Sequence, residues 1–452
     1  MRRNILLVEP LCFHCLDGDT PIITLNNGEY EIVEIKKLKN NYHDYLALSY
    51  NFENHRFEFK PITNFVYQGK KEVFEIKLRN GSSVLSTKDH RFYRVFHPLR
   101  RWKKIKLQSL SEILSSKLKN YNDKLLCIRK IPSLNKKMDE DLLWVEGLYT
   151  AEGHFSSRSV VISNSDLKII NRLISILEKH NIPYSVFKER RKRKEIIKVF
   201  IKKSHLKNLL KNLGNKSTNK HFLNDRLSLS EPCLLSLLNG YSVGDGYMNP
   251  KRNGNCKIIY NTTSNILARQ LKLIHYILGR PLYSWFQVNH GGFGKNPIWR
   301  LYEFPTSHFN QEMFGGVSKV SIKKIEPVGK RKVYDITVAD NHNFVTLDSG
   351  LIVHNCEDAI DAVLTLEDWL GDEFEIIDVE SSEIPEELVK LPLESKATGK
   401  IMTPTFVRID GDSMVKIFAT ELFFGDLGLL EGMFKGELPT DIPVGKHVPW
   451  IE

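Results

Sequence analysis

Two cysteines and one asparagine have the side chains needed to rearrange peptide bonds. A thiol on the C-terminal side of a peptide bond can attack the preceding carbonyl to give a thioester, and Cys15 can do so toward His14. Asn355 can cyclise its side-chain amide onto its own carbonyl, with His354 beside it as proton donor or acceptor near neutral pH. Cys356 then supplies a second thiol. These residues predict two reactive junctions, one at each end of the segment 15–355.

The charge of the chain changes sign at the same two junctions. The whole chain has 65 Lys and Arg against 54 Asp and Glu, a net charge of +11. Residues 1–14 and 356–452 together hold 9 basic against 23 acidic residues, whereas the segment between them holds 56 against 31. Only this inner segment is built to meet a polyanion. A lysine-rich genomic bias is the alternative, but bias alone would not spare the flanks.

The N-terminus and the composition indicate where the protein works. The apolar run 5–8 is stopped by Glu9 and Pro10, far short of the apolar region of a signal peptide, and no stretch approaches a membrane span. We therefore expect a cytoplasmic protein without a membrane partner. Its six cysteines should be reduced and available for chemistry.

The elements that must position the junction residues fall into two classes. Short alternating runs from 20 to 94 predict β-hairpins, with turns at Asn27-Gly28 and Asn80-Gly81, and the β pattern returns at 317–325 and 333–338. Helical periodicity begins near Leu107 and dominates 139–278, where strand-like runs interrupt it. The pattern predicts a β domain split by an α/β region.

The α/β region contains an internal repeat. Residues 147–153 (Gly-Leu-Tyr-Thr-Ala-Glu-Gly) match 240–246 (Gly-Tyr-Ser-Val-Gly-Asp-Gly), and Ser165 matches Ser264 at the start of a following amphipathic helix. The repeat predicts a pseudo-two-fold α/β fold.

Each repeat helix carries small residues four positions apart, followed by a carboxylate. Gly147 with Ala151, and Gly240 with Gly244, would leave a bare stripe on which two helices can pack backbone to backbone. A carboxylate follows each stripe directly, Glu152 in the first helix and Asp245 in the second, and the two would meet at the bottom of that interface. Carboxylates are ligands that Mg²⁺ prefers. Ordinary helix packing and capping is the alternative interpretation of either motif alone.

Around both junctions the chain resembles inteins. Five motifs stand in order, namely Cys15-Leu-Asp-Gly-Asp-Thr-Pro, Thr87-Lys-Asp-His90, Val333-Tyr-Asp335-Ile-Thr-Val, His342-Asn-Phe344 and Val353-His354-Asn355-Cys356. The resemblance implies an all-β horseshoe of the Hint type and splicing without a cofactor. It implies that Cys15, Cys356 and Asn355 react in turn. The implied assisting residues are Thr87 and His90 at the upstream bond, Asp335 for the two cysteines, and His342 with His354 for Asn355. A surface turn at Thr87-x-x-His90 and a solvated His342 are the ordinary alternatives for these motifs taken singly.

The repeated α/β part resembles LAGLIDADG homing endonucleases. This implies an α+β fold of two pseudo-symmetric repeats, Mg²⁺ held by the catalytic carboxylates Glu152 and Asp245, and double-stranded DNA of the intein-free allele as partner. The motif around Lys220 departs from the family's Lys-x-Ile-Pro, which weakens Lys220 as a catalytic lysine. An inert DNA-binding remnant, leaving splicing alone, is the alternative function.

The run 188–194 is the predicted contact with DNA phosphates. It would lie on strands or their connecting loop, and a solvated charged hairpin is the alternative. The DNA-binding residues predicted in this run are Arg190, Arg191, Lys192, Arg193 and Lys194.

Joined together, the flanks have the order β, thiol loop, α, β, α, Pro, β, β. With Cys12-Phe13-His14-Cys356 and Thr403-Pro404 they resemble a thioredoxin- or glutaredoxin-type α/β domain, which implies redox residues Cys12, Cys356 and Pro404 and a thiol-redox partner. A metal-binding dithiol is the alternative, although two cysteines alone make a poor zinc site. Before splicing, Cys12 and Cys15 also form a Cys-x-x-Cys, so a disulfide between them would stop the first acyl shift.

The predicted protein is therefore multidomain. Its predicted parts are an N-terminal extein (1–14), the first part of the splicing domain (15–115), the endonuclease (135–310), the second part of the splicing domain (315–355) and a C-terminal extein (356–452).

Overall fold

The computed structural model describes most of the inner segment and some strands of the flanks. The described residues are 4–8, 15–99, 102–115, 124–156, 159–191, 194–202, 213–249, 257–288, 296–303, 313–355, 374–378, 393–395, 400–402, 405–409, 413–417 and 450–451. The chain divides into two compact units, Met1–Cys15 with Cys356–Glu452, and Leu16–Asn355. The division falls within one residue of the predicted upstream junction and at the predicted downstream junction.

A 12-stranded sheet forms the β part of the larger unit. Its strands are β2 (Leu16–Asp17), β3 (Pro21–Asn26), β4 (Glu29–Glu34), β5 (Leu46–Asn51), β6 (Arg56–Leu78), β7 (Ser83–Ser86), β8 (Arg91–Leu99), β9 (Trp102–Ser109), β10 (Lys124–Ile128), β19 (Val317–Val338), β20 (Asn343–Val345) and β21 (Ile352–His354). The order is β20-β21-β8-β10-β19-β2-β7-β6-β5-β3-β4, with β9 on β8 and β6 also paired with β19. Strands from before and after the α/β region therefore belong to one sheet, with β19 inserted among the early strands and β21 beside β8.

Turn chemistry explains the first hairpin. Asn27 and Gly28 have φ angles of 49° and 75°, the left-handed pair that a two-residue hairpin turn requires between β3 and β4. The turn at Asn80-Gly81 was also predicted correctly. There, Gly81 has a φ of 81° and the Asn80 side chain accepts the Ser82 N–H.

The sequence prediction of a helix from near Leu107 is wrong. This residue lies in β9, which pairs with β8 from Arg91↔Ser109 to Leu99↔Trp102. The helix α1 (Leu110–Ser115) starts three residues later. Pairing with β8 selects the two-residue periodicity of Ile105 and Leu107 over the helical spacing.

The α/β part consists of two copies of one plan. The first repeat contains α2 (Glu140–Glu152), β11 (Gly153–Phe155), β12 (Ser159–Asn164), α3 (Leu167–Lys179), β13 (Tyr184–Arg191) and β14 (Lys194–Lys202). The second contains α4 (Glu231–Asp245), β15 (Gly246–Asn249), β16 (Lys257–Thr262), α5 (Asn265–Ile277), β17 (Leu282–Gln287) and β18 (Ile298–Glu303). Their sheets have the matching orders β11-β12-β14-β13 and β15-β16-β18-β17.

The N-caps of α3 and α5 correct the register of the predicted repeat. Asp166 caps α3 and Ser264 caps α5, each by accepting a backbone N–H of the first turn. The structural partner of Ser264 is therefore Asp166 and not Ser165. Matching the two serines had therefore offset this part of the repeat by one residue.

Helices α2 and α4 pack backbone to backbone, as the small-residue stripes predict. A Cβ atom on Gly147 would lie 2.1 Å from the Leu237 carbonyl oxygen, and one on Gly240 would lie 2.0 Å from that of Trp144. Glycine is thus required at both positions by the closeness of the helices. The two helices end at Glu152 and Asp245.

The smaller unit contains a sheet with the order β22-β1-β25-β26-β27. The strands are β1 (Asn4–Val8), β22 (Phe374–Asp378), β25 (Thr405–Ile409), β26 (Ser413–Ile417) and β27 (Trp450–Ile451), and a separate pair is formed by β23 (Leu393–Ser395) and β24 (Lys400–Met402). β1 is parallel to β22 and antiparallel to β25, which forms a hairpin with β26. Cys12, Cys356, Pro404 and the helix predicted directly after the thiol loop lie outside the described residues.

Among the helices of the described ranges, none is long and apolar enough to cross a membrane.

Candidate splicing centre and candidate nuclease centre

Strand β2 places two predicted splicing residues on its two sides. Leu16, the residue after Cys15, pairs with Ser86 in β7 and with Tyr334 in β19. Thr87 and Asp335 directly follow these partners, so they lie on opposite sides of β2. Thr87 is 3 % exposed, and Cys15 and Asp335 are fully buried. The Asp335 carboxylate accepts the Ile336 N–H at 2.8 Å, which fixes its orientation.

The Thr87-x-x-His90 motif forms a buried turn, and not the surface turn of the ordinary interpretation. The His90 N–H donates to the Thr87 carbonyl at 3.3 Å, and the His90 carbonyl accepts the Leu110 N–H at 3.0 Å. The imidazole is fully buried and packs edge-on against the Phe92 ring, with 5.0 Å between the ring centroids. Helix α1 and strand β8 therefore hold His90 from both sides.

The downstream junction has its own hydrogen bonds. The His354 Nδ1 lies 2.6 Å from the Asn355 carbonyl oxygen, and the Asn355 N–H donates to the His342 carbonyl at 3.2 Å. A carbonyl oxygen can only accept, so Nδ1 of His354 must carry the proton. That donor points at the carbonyl that the predicted cyclisation of Asn355 would attack. In that reaction it would polarise the carbonyl and stabilise the charge that develops on its oxygen.

Burial keeps the His354 imidazole neutral at neutral pH. Desolvation is the main cause that lowers its pKa to about 4, and the positive charge of Arg91 acts in the same direction, whereas the hydrogen bond to Asn355 opposes them. A neutral imidazole still carries one N–H, which is the donor needed here.

Asn343 is a residue whose function the sequence analysis missed. It is fully buried and exchanges hydrogen bonds with the Tyr50 backbone, accepting its N–H at 2.8 Å and donating to its carbonyl at 2.9 Å. It also donates to the Asn341 carbonyl at 2.6 Å. These bonds hold His342 in the left-handed conformation, with a φ of 47°. Sequence alone offers no signal for this, because Tyr50 is remote along the chain.

The carboxylates Glu152 and Asp245 come together at the end of the α2–α4 interface. A Cβ atom on Gly244 would lie 2.8 Å from the Glu152 Cγ, so Asp245 follows directly on that contact. Desolvation and the charge of Glu152 raise the pKa of Asp245 to about 7, although the residue as a whole remains exposed. Burial also raises the pKa of Glu152, while Lys220 opposes it.

Lys220 joins the two carboxylates, although its sequence context argued against it. Its ammonium donates to the Tyr149 carbonyl at 2.8 Å and to the Gly153 carbonyl at 2.6 Å, and the residue is 6 % exposed. Burial lowers its pKa to about 8, against the opposing charges of Asp245 and Glu152. The two backbone carbonyls at the end of α2 therefore hold the Lys220 ammonium near the carboxylates, although the sequence around Lys220 does not indicate this.

The chemistry of this cluster fits a hard divalent cation. Two carboxylates whose pKa values are raised by burial, one of them also by the charge of the other, gain from a cation that offsets their repulsion. The residues that would hold Mg²⁺ are Glu152 and Asp245.

Of the five predicted DNA-binding residues, only Arg190 has a described side chain, and it is exposed. Arg191 and Lys194 are described as paired backbone positions of the β13–β14 hairpin, and Lys192 and Arg193 lie outside the described residues. The prediction that this basic run lies on strands and their connection is confirmed for the strands.

Comparison with known proteins identifies the β part. A family model described as the intein splicing domain matches residues 23–355. The chain is 20% identical over 372 residues to the transcription initiation factor IIB of Methanocaldococcus jannaschii, covering 76% of this chain and 50% of the relative. It is 29% identical over 146 residues to the RNA polymerase subunit Rpo1C of the same organism, covering 31% and 17%. The chain spans half or less of the length of these curated relatives.

A solved structure described as the transcription factor IIB Mvu mini-intein is 12% identical, covers 76% of this chain and 99% of its own, and has a TM-score of 0.31. The family model matches more than half of the chain, across the sheet that carries both candidate junctions. The chain therefore belongs to the intein splicing-domain family.

Proposed function

We propose that splicing excises residues 15–355 and ligates His14 to Cys356. The observation that carries this assignment is the hydrogen bond from His354 to the Asn355 carbonyl. This carbonyl belongs to the Asn355–Cys356 peptide bond, which must break to release the C-terminal flank. The buried positions of Thr87 and Asp335 beside strand β2, and of His90 in the turn that begins at Thr87, support their assignment to the upstream junction.

The proposed reaction consists of four balanced steps. The Cys15 sulfur attacks the His14 carbonyl, the His14–Cys15 amide breaks, and the Cys15 nitrogen takes the thiol proton. The Cys356 thiol then displaces the Cys15 thiol from the thioester. The Asn355 amide nitrogen attacks its own carbonyl, which forms a succinimide and frees the Cys356 amine. That amine finally attacks the thioester, giving a peptide bond and a free Cys356 thiol.

The test is the variant Asn355→Ala in the full chain. We expect no ligated product, but continued cleavage at Cys15 when a small thiol is added, because only the cyclising amide is lost. Product masses measure both outcomes, and Asn171→Ala, an exposed asparagine on α3, is the matched control. Ligated product from Asn355→Ala would refute the mechanism.

A second proposed function is cleavage of double-stranded DNA by the α/β part. The convergence of Glu152 and Asp245 with Lys220 supports it. When bound, Mg²⁺ would supply activation of water and charge stabilisation at the phosphate. Lys220 holds the end of α2 in place and adds positive charge beside the scissile phosphate. We propose the intein-free host allele as target, and an inert DNA-binding remnant as the alternative outcome.

The DNA test uses a duplex in which the codons of His14 and Cys356 are joined. Cutting that requires Mg²⁺ and is lost in Glu152→Gln supports the nuclease. Binding without cutting, under every divalent cation tried, supports the remnant.

We further propose that the ligated flanks form a thiol-disulfide oxidoreductase with Cys12 and Cys356 as its dithiol. The parallel pair β1–β22 followed by the β25–β26 hairpin supports a thioredoxin-like order of strands. Reduction of a test disulfide by the ligated product, lost in Cys12→Ser, is the expected result. An inactive ligated product would contradict this assignment and leave the splicing assignment intact.

A further inference from the structure

Helix α5 of the second repeat is buried on two faces. Ten of its residues are buried, whereas in α3, its counterpart of equal length, four are. The face that both helices share packs on the sheet of their own repeat. The additional buried face of α5 contacts the splicing domain.

Arg269 on this second face connects three segments. Its Nη1 donates to Glu34 Oε1 at 3.0 Å, its Nε to Asp348 Oδ2 at 3.3 Å, and its Nη2 to the Asp19 carbonyl at 3.5 Å. Asp19 follows the upstream junction by four positions, and Glu34 ends strand β4. The guanidinium thus ties the N-terminal part of the splicing domain to its C-terminal part.

Two further side chains of α5 hold the turn at 346–350, which contains Asp348. Lys272, whose side chain is 4 % exposed, donates to the Asp348 carbonyl at 3.2 Å and lies 3.4 Å from its carboxylate. A Cβ atom on Gly350 would lie 2.5 Å from the Tyr276 hydroxyl oxygen, so the backbone rests on that ring. The turn at 346–350 is therefore seated on α5.

This turn leads directly to the reacting asparagine. It connects β20, where Asn343 lies opposite His354, with β21, which ends at His354 before Asn355. The Gly350 carbonyl also accepts the Ile128 N–H at 2.8 Å, which fixes the turn on the sheet. A shift of the turn would move His354 and Asn355 together, and small displacements of reacting groups cost large factors in rate.

We propose that Arg269 and Lys272 are positioning residues for splicing, which hold the 346–350 turn, and through it Asn355, in register with the N-terminal part of the splicing domain. The α/β insert is then a working part of the splicing centre.

The first repeat shows that these residues are not a requirement of the repeat itself. Aligned by their N-caps, Arg269 corresponds to Asn171 and Tyr276 to Glu178, both of which are exposed in α3. Lys272 corresponds to Ile174. At these three aligned positions, the residues that make the contacts are present only in α5, the helix that meets the splicing sheet.

The experiment compares Arg269→Ala and Lys272→Met with the matched control Asn171→Ala in the full precursor. Two rates are followed separately, cleavage at Cys15 by an added thiol and release of the C-terminal flank by Asn355. Among the described residues, the Lys272 ammonium makes its hydrogen bonds with Asp348 of the 346–350 turn, and its other contact is the Trp299 ring of its own repeat. Lys272→Met should therefore slow the second rate about tenfold, the effect of one lost charged hydrogen bond, and leave the first unchanged. Arg269→Ala should slow both, and Arg269→Lys should recover part of the loss.

Asp348→Asn provides a second test that keeps the size of every side chain. It should slow release at Asn355 with the thiol-induced rate unchanged. Equal slowing of both rates in Lys272→Met and Asp348→Asn, together with a fall in melting temperature, would show a merely structural role and overturn the proposal. Wild-type rates in Arg269→Ala would overturn it as well.

Discussion

The two repeats of the α/β part have the same strand order but different surroundings. In the first, α3 keeps one face in solvent and its charged residues, such as Lys179 paired with Asp141, lie at the surface. In the second, α5 is enclosed between its own sheet and the splicing sheet. The residues at the α2–α4 interface therefore follow from the repeat itself. The residues on the outer faces of α3 and α5 instead depend on what each copy packs against.

The carboxylates give the largest expected effect and test whether the repeats are equivalent in chemistry. We expect Glu152→Gln and Asp245→Asn each to lower Mg²⁺-dependent DNA cleavage at least about hundredfold, because each removes an anionic ligand. Splicing should remain at the wild-type rate. Cleavage assays on a supercoiled plasmid carrying the joined site measure this, with Asp141→Asn at the opposite end of α2 as control. A loss confined to one of the two variants would break the functional equivalence.

A buried ion pair distinguishes the repeats next. Glu146 on α2 is fully buried and accepts from Arg226 Nε at 2.9 Å, whereas its counterpart on α4, Asn239, is exposed. Glu146→Gln removes the fully buried one of the two carboxylates that pair with Arg226, while Asp225 stays at 2.6 Å. We therefore expect a loss of about 2 kcal/mol in the free energy of unfolding. Asn239→Ala should change it by less than about 0.5 kcal/mol. Urea unfolding of a splicing-blocked Asn355→Ala chain gives both values, and equal costs would contradict the asymmetry.

The glycines of the helix pair should behave alike, because they belong to the shared interior. Gly147→Ala and Gly240→Ala each force a methyl group against a backbone carbonyl, at about the same separation. We expect each to cost roughly 1–3 kcal/mol of unfolding free energy through overpacking. The measurement is the same urea titration, with Ser175→Ala on the exposed face of α3 as control. Costs that differ strongly between the two glycines would show that the interface is not symmetric.

His275 provides the effect that is smallest near neutral pH, a dependence of stability on pH. Burial lowers its pKa to about 4, so the unfolded chain binds a proton that the folded chain does not between pH 6.5 and 4. The contribution of neutral His275 to the free energy of unfolding is fully present above pH 6.5. As the pH is lowered below 6.5, the free energy of unfolding decreases by at most about 1.4 kcal/mol per pH unit because of this group. The counterpart in α3 is Leu177, so His275→Leu should flatten the slope of melting temperature against pH. An unchanged slope would contradict the assignment.

The sequence was sufficient for features that depend on neighbouring residues in the chain. Asn27-Gly28 specifies its own turn, and the small-residue stripes specify the α2–α4 interface, since periodicity alone decides which face is bare. The junction motifs around Cys15 and Asn355 were found for the same reason.

Residues that work through distant partners were not predicted. Lys220 acts on carbonyls at the end of α2, Asn343 acts on Tyr50, and Arg269 acts on both ends of the splicing domain. The residues next to each of them in the sequence give no sign of these long-range contacts. Strand β9 was missed because its identity depends on pairing with β8.

The interleaving of early and late strands has a consequence for synthesis on the ribosome. Strand β2 needs β19 beside it, and β8 needs β21, yet β19 and β21 are made only after the whole α/β part. At about 5–20 residues per second, the first strands wait many seconds for their partners. The Cys15 junction therefore stays without its complete surroundings while the chain is growing.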